Sequence, residues 1–214
     1  MLLVLCAAAQ ALAAPFAVRV GDARIGLDAP AGFADTGFTG SPRLQELAEA
    51  QTSASNRILL FAISDGDLRR FMVGDTPEFR RYMIVVTPKA LEREHVAEAA
   101  FQRFVADALR GLGEPPANVD LFEYLDARPP GQSSILGELR RDPGVVSVVQ
   151  GSRLPPQRRN EKPQYVLAST SFLLVRGKPL NLSVYSVFES AADLDWLRAT
   201  TLRWVEDLQR LNPR

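Results

Sequence analysis

The chain has one imidazole, His95, with Glu92 and Glu98 placed about a helical turn to either side. Carboxylates and an imidazole at that spacing can be drawn as a metal site. Metal sites, however, usually take ligands from separate elements and hold them with an outer layer of bonds. Nothing in the neighbouring sequence supplies either. On a helical count of about 100° per residue, His95 falls far from the apolar stripe set by Ala97, Phe101, Phe104 and Ala108, so it is expected to face solvent. Ser133 and Ser134 lie among glycines in PPGQSSILG, but the spacing is not that of a nucleophile elbow and no histidine is placed to activate them. A serine–lysine pair would need a buried lysine, yet Lys89, Lys162 and Lys178 each adjoin a proline, in predicted turns or at a helix start. Asp65 with Asp67, and Asp193 with Asp195, have the residue types of a glycosidase acid pair. The first reads better as a turn and the second as the opening of a helix, where negative charge meets the dipole favourably. G-x-G occurs only at Gly111-Leu112-Gly113, after a helix rather than before one, so no phosphate loop is expected. No catalytic set, metal or cofactor is predicted.

Composition narrows the classes further. The 214 residues carry 25 basic and 25 acidic side chains, a net charge of zero, which leaves no electrostatic footprint for nucleic acid. One cysteine and one histidine exclude disulfide scaffolds and zinc fingers. Residues 2–14 (LLVLCAAAQALAA) are uncharged and end in Ala11-Leu12-Ala13, the pattern read at a signal-peptide cleavage site. The expectation is a signal peptide over 1–13 and a single mature domain over 14–214, without a transmembrane span. The missing feature is a positive start, since the first cation is Arg19. Cys6 lies inside this segment, so the mature chain would carry no thiol, which suits an oxidising compartment. Arginine far outnumbers lysine beside abundant alanine, a bias that points to a GC-rich bacterial genome and hence to a periplasmic or secreted protein.

The elements that would position any site follow from periodicity. Residues 16–20 and 23–27 read as a hairpin around Gly21-Asp22. Pro30, Gly32, Gly37 and Gly40 mark an irregular connection. Ser41 and Pro42 form an N-cap with proline at the first helical position. Residues 58–63 and 82–86 are apolar runs of strand length. Thr87 and Pro88 would open a helix reaching about Arg110. The stretch 114–144 is less periodic, with a helical piece possible around 119–125. Residues 145–150, 165–176 and 180–188 read as antiparallel strands, the last two joined at Gly177-Lys178. Ser190 and Asp193 then match a capping box, followed by a helix with Leu194, Leu197, Thr201, Trp204, Leu208 and Leu211 on one face. Trp196 lies off that stripe and is expected to pack against the hairpin. The fold class is α+β, a single antiparallel sheet flanked by amphipathic helices.

This order of elements, the opening ARIGLDAPAGF and the closing hairpin plus helix from Tyr165 to Leu211 resemble the PsbP-like/DcrB-like α/β/α sandwich superfamily. The resemblance implies a small exported bacterial protein that is not an enzyme, binding or assisting another component of the cell envelope. A periplasmic hydrolase or a small-molecule binding module is the alternative. The segment 152–163 (SRLPPQRRNEKP) offers Arg153, Arg158, Arg159 and Lys162 against the single acid Glu161. It is read as a solvated insertion or as a docking loop for an envelope protein or an anionic surface.

Overall fold

A computed structural model describes residues 15–117, 119–156, 158 and 162–213. The segment expected to be a signal peptide therefore lies outside the described residues. In chain order the elements are β1 (Phe16–Val20), β2 (Ala23–Leu27), β3 (Phe33–Asp35), α1 (Pro42–Glu49), β4 (Asn56–Ser64), α2 (Asp65–Met72), β5 (Arg81–Pro88), α3 (Glu98–Leu109), α4 (Leu121–Asp126), β6 (Ser134–Asp142), β7 (Val145–Arg153), β8 (Tyr165–Val175), β9 (Lys178–Val187) and α5 (Ala191–Leu211). Seven strands form one antiparallel sheet in the order β3-β4-β5-β9-β8-β7-β6, and a separate two-stranded hairpin, β1-β2, lies beside it.

Strand alternation divides the side chains between two faces. Leu167, Leu173, Leu180, Leu182 and Val184 point to the face covered by α5, α4 and the β1-β2 hairpin, where Leu197, Trp204, Val205 and Leu208 complete the main core. On the opposite face, α1 and α2 cover Phe61, Ile63, Ile84 and Val86. There α3 covers Val146, Val148 and Phe172 through Phe101 and Val105. The result is an α/β/α sandwich, as the alternation predicts. Thr201 lies inside the main core without penalty, because its hydroxyl donates to Leu197 O at 2.7 Å and accepts from Ser169.

Three local readings change. Thr87 does not cap a helix: β5 runs through Pro88, and the buried Thr87 hydroxyl donates to Pro179 O at 3.0 Å. The following residues are tied to the sheet instead. Lys89 N–H donates to Ser55 O at 2.9 Å and Val96 N–H to Gly177 O at 2.8 Å, and α3 begins only at Glu98. Asp65-Gly66-Asp67 is the start of α2 rather than a turn, with Ser64 as its cap. The β8-β9 turn is Arg176-Gly177, both at positive φ of 52° and 75°, the geometry of a two-residue hairpin turn matched to strand twist. Lys178 consequently belongs to β9 and is 1% exposed, contrary to the expectation that every lysine lies in a turn or at a helix start.

Strand β6 has no counterpart in the expected elements. Register shifts at Ile135/Gly137 and Glu138/Arg140 break its alternation, so no period of two survives for inspection to find. Behind it, Gly151 of β7 lets α4 approach the sheet. A Cβ there would lie 2.8 Å from Leu136 Cδ1 and 3.2 Å from both Leu125 methyl carbons. Gly151→Val should therefore overpack this corner and cost about 1–3 kcal/mol. Chemical denaturation followed by circular dichroism checks it, and an unchanged midpoint would show that α4 yields easily.

Candidate functional site

The residues with chemical potential are dispersed. His95 is exposed on the connection before α3 and lies across the β8-β9 turn, where a Cβ on Gly177 would come within 2.4 Å of its Nδ1. It faces solvent as expected, though from a loop and not a helix. Glu92 bonds Arg57 at 2.9 Å, and no group of metal-ligating side chains occurs among the described residues. Ser133 is exposed and Ser134 buried at the start of β6. Asp67 accepts from the Ser64 hydroxyl at 3.0 Å and from Glu78 N–H at 2.7 Å, so its oxygens hold a cap and a loop. Burial works to raise the Asp193 carboxyl, but donation from Glu189 N–H, Arg81 and Ser190 outweighs it and holds the group below its ordinary range. Arg81 also lies over Trp196, 4.0 Å from the ring centroid, and Phe33 packs on the same ring. Trp196 is thus seated against Phe33 of β3 and Arg81 of β5 and packs on the main core.

The basic segment is partly structural. Arg153 is the last residue of β7, and its guanidinium donates to Arg128 O at 3.2 Å and to Asp126 at 3.4 Å. Arg153 and Lys162 both line a small cleft of about 270 Å³ with Pro130, Leu154 and Pro156. Arg158 is described, while Arg159 lies outside the described residues.

A larger concavity lies elsewhere, along β4. About 730 Å³ in volume, it is lined by Asp35, Gly37, Gly40 and Ser41 at one end and by Glu49, Thr52, Arg57 and Lys89 at the other, with Ile58, Leu59 and Ala48 between. The sequence builds it in three steps. First, β3 pairs with β4 only across Ala62–Ser64, because the chain turns away into a single 3-10 turn at Gly37–Thr39. Second, Asp35 closes the short ladder with its side chain: Oδ1 accepts Phe61 N–H at 3.3 Å and Gly37 N–H at 3.2 Å. Burial raises the Asp35 carboxyl above its ordinary value, and these N–H groups together with Thr36 N–H offset part of that rise. Third, Ser41 caps α1, which runs below the groove and buries Leu44 and Ala48 against β4. Phe38, between the lining residues Gly37 and Gly40, is 72% exposed.

Sequence reasoning named Gly37, Gly40, Ser41 and Lys89 only as loop, cap and turn residues, and pointed to no groove. The three residues of β3 are too few to show a period, and the glycines around them read as loop. The signal that could have been noticed is Phe38, a large aromatic set between glycines in a polar stretch.

No family model matches the chain, and no curated protein matches it. Solved structures do. The 1.9 Å crystal structure of the Saccharomyces cerevisiae Ran-binding protein Mog1p is similar at 12% identity and a TM-score of 0.44, over 92% of this chain and 94% of that one. A mutant of protein Mog1 is similar at 12% identity and a TM-score of 0.43 over the same shares. The resemblance to the PsbP-like/DcrB-like superfamily drawn from element order is corrected to this extent: the solved structures found similar are those of Mog1p. The readings drawn from that resemblance, from residues 2–14, from composition and from the basic segment 152–163 are withdrawn with it. They comprise an exported bacterial protein, a periplasmic or secreted location, an envelope protein or anionic surface as partner, and a periplasmic hydrolase or binding module. Binding of Ran is a property of Mog1p, and at this identity the likeness bears on fold alone. Among the described residues, no helix is long and apolar enough to cross a membrane.

Proposed function

We propose that this chain is a protein-binding domain without catalytic chemistry of its own, and that it engages its partner at the groove beside β4. The observation that carries this reading is the groove itself, about 730 Å³ in volume and walled by a half-paired strand. Phe38 stands 72% exposed beside it. Exposed aromatics are enriched where proteins meet, and an isolated one beside a concavity is well placed to anchor a partner. The groove's carboxylates and cations are separated along its length and several already have partners. Lys89 donates to Ala54 O at 2.8 Å and Arg57 is paired with Glu92.

Site-specific photocrosslinking in cells tests the reading. A photoreactive residue replacing Phe38 or Gln45 should give one discrete adduct, while the same residue at Arg103 on α3 should give none. Phe38→Ala should abolish the adduct formed from position 45 and shift stability by no more than about 0.5 kcal/mol, as for other exposed sites. Adducts that form equally from all three positions, or from none, would overturn the proposal.

A further inference from the structure

We infer that the groove takes its partner as an extended peptide that adds a strand to β4 along residues 56–60, with a lysine or arginine side chain of the peptide placed at Asp35. This rests on the binding reading above and specifies its chemistry.

A strand at the edge of a sheet carries unpaired N–H and C=O groups that template another extended chain. The two ends of this sheet treat that hazard differently. At one end β6 is studded with Glu138, Arg140, Arg141 and Asp142, which pair among themselves, and its register is broken twice. Charge and irregularity of this kind guard an edge. At the other end, β3 shields β4 only across Ala62–Ser64. Among the described residues, no strand pairs with residues 56–60 on that side. Beyond Arg57, the residues along this open stretch are Ile58, Leu59 and Leu60, without a charge, and the strand has a single register shift against β5, between Ile58 and Leu60. At about 3.3 Å per residue the stretch spans roughly 17 Å, enough to pair four or five residues of a partner.

The groove's shape follows the same line. Ile58, Leu59 and Asn56 form its wall, and α1 supplies Gln45, Ala48 and Glu49 along its length. A strand laid there would run in line with β3, starting where the chain departs at Thr36, whose N–H still bonds Phe61 O at 2.8 Å. Asp35 marks that junction. Both bonds that its carboxylate accepts from Phe61 and Gly37 fall on Oδ1. A cation on the first incoming residue would meet the second oxygen, and a charge-assisted bond there would fix the register of the added strand.

The experiment uses the full chain and a library of random octapeptides displayed on phage. Selected peptides should carry a lysine or arginine near one end beside alternating apolar residues. A synthetic copy of the best binder should slow hydrogen exchange at the amides of residues 57–60. Methylating alternate backbone nitrogens of that peptide should abolish binding, since side chains are kept but ladder donors are lost. Asp35→Asn keeps an acceptor for Phe61 N–H and should weaken the peptide about tenfold, the loss expected for one charged hydrogen bond. Binders that need Phe38 yet tolerate backbone methylation and leave residues 57–60 unprotected would overturn strand addition while the groove reading stands. Selection of no peptide sensitive to Phe38 would overturn both. Protection of residues 57–60 without peptide, together with a dimer in sedimentation, would show that a second copy occupies the edge and would overturn the peptide assignment.

Discussion

Trp204→Ala should destabilise the protein by about 3–5 kcal/mol, the range for removing a large buried aromatic. Trp204 is 2% exposed at the centre of the α5 stripe, among Leu197, Val205 and Leu208. Its indole N–H donates to Asp28 O at 2.8 Å. The ring therefore joins the closing helix both to the sheet and to the connection that follows β2. Domains of this size commonly hold about 5–15 kcal/mol in total, so the loss should bring the urea midpoint down sharply. Trp204→Phe separates the two contributions. It keeps much of the apolar volume and leaves the Asp28 carbonyl without its donor, which should cost about 1–2 kcal/mol. A loss below about 1 kcal/mol for the alanine variant would mean that α5 repacks without its central side chain.

Lys178→Ala should be the next most damaging single change, at about 2–4 kcal/mol, from the buried stem it deletes. The Lys178 ammonium donates to Glu94 O at 2.8 Å and meets the Asp22 carboxylate at 2.7 Å. One side chain thus fastens the turn of the β1-β2 hairpin and the connection before α3 to the start of β9. Lys178→Met keeps the stem and loses the polar ties, so its cost should be nearer 1 kcal/mol. The tie to Asp22 also has a pH signature. The hydrogen bond from Lys178, then the Asp22 backbone and the lysine charge, hold the Asp22 carboxyl below its ordinary value. A carboxyl whose folded pKa is depressed adds stability above its unfolded value, and that stability is lost as pH falls through the folded value. The gap between wild type and Lys178→Met should therefore be widest near neutrality and narrow below about pH 4. Asp22→Asn should remove this dependence. A gap that stays constant down to pH 2 would show that Asp22 contributes nothing through Lys178.

The features legible in the sequence are those whose causes are local. Ser41 with Pro42 and Ser190 with Asp193 begin helices in the structure because capping involves residues within one turn of each other. The β8-β9 hairpin and the stripe on α5 were equally readable, since burial on one face imposes a period. Distant causes defeated the same reasoning. Thr87-Pro88 has the composition of a helix start, yet bonds from Lys89 and Val96 to other elements hold that segment to the sheet. Strand β6 is hidden by its own irregularities. Lys178 reads as a turn cation because the carboxylate that neutralises it, on Asp22, and the carbonyl it bonds, on Glu94, lie far away in sequence. The groove was illegible for a different reason. Its main feature is where a neighbouring strand stops, and no pattern within β4 records the length of β3.

Asn212, just past α5, accepts Gly26 N–H at 2.8 Å and donates from its amide to Gly26 O and Leu208 O, both at 2.8 Å. The first hairpin and the last helix are thereby joined across 186 residues of chain. Closing so long a loop from an unfolded chain is entropically costly, whereas docking the hairpin onto a formed sheet is not. This seam is thus suited to form after the rate-limiting barrier. In stopped-flow measurements Asn212→Ala should leave the refolding rate within about twofold and carry its cost almost wholly in faster unfolding, a φ-value near zero. The first hairpin would then act as a latch on kinetic lifetime, governing how long a folded molecule persists and not how quickly it is made.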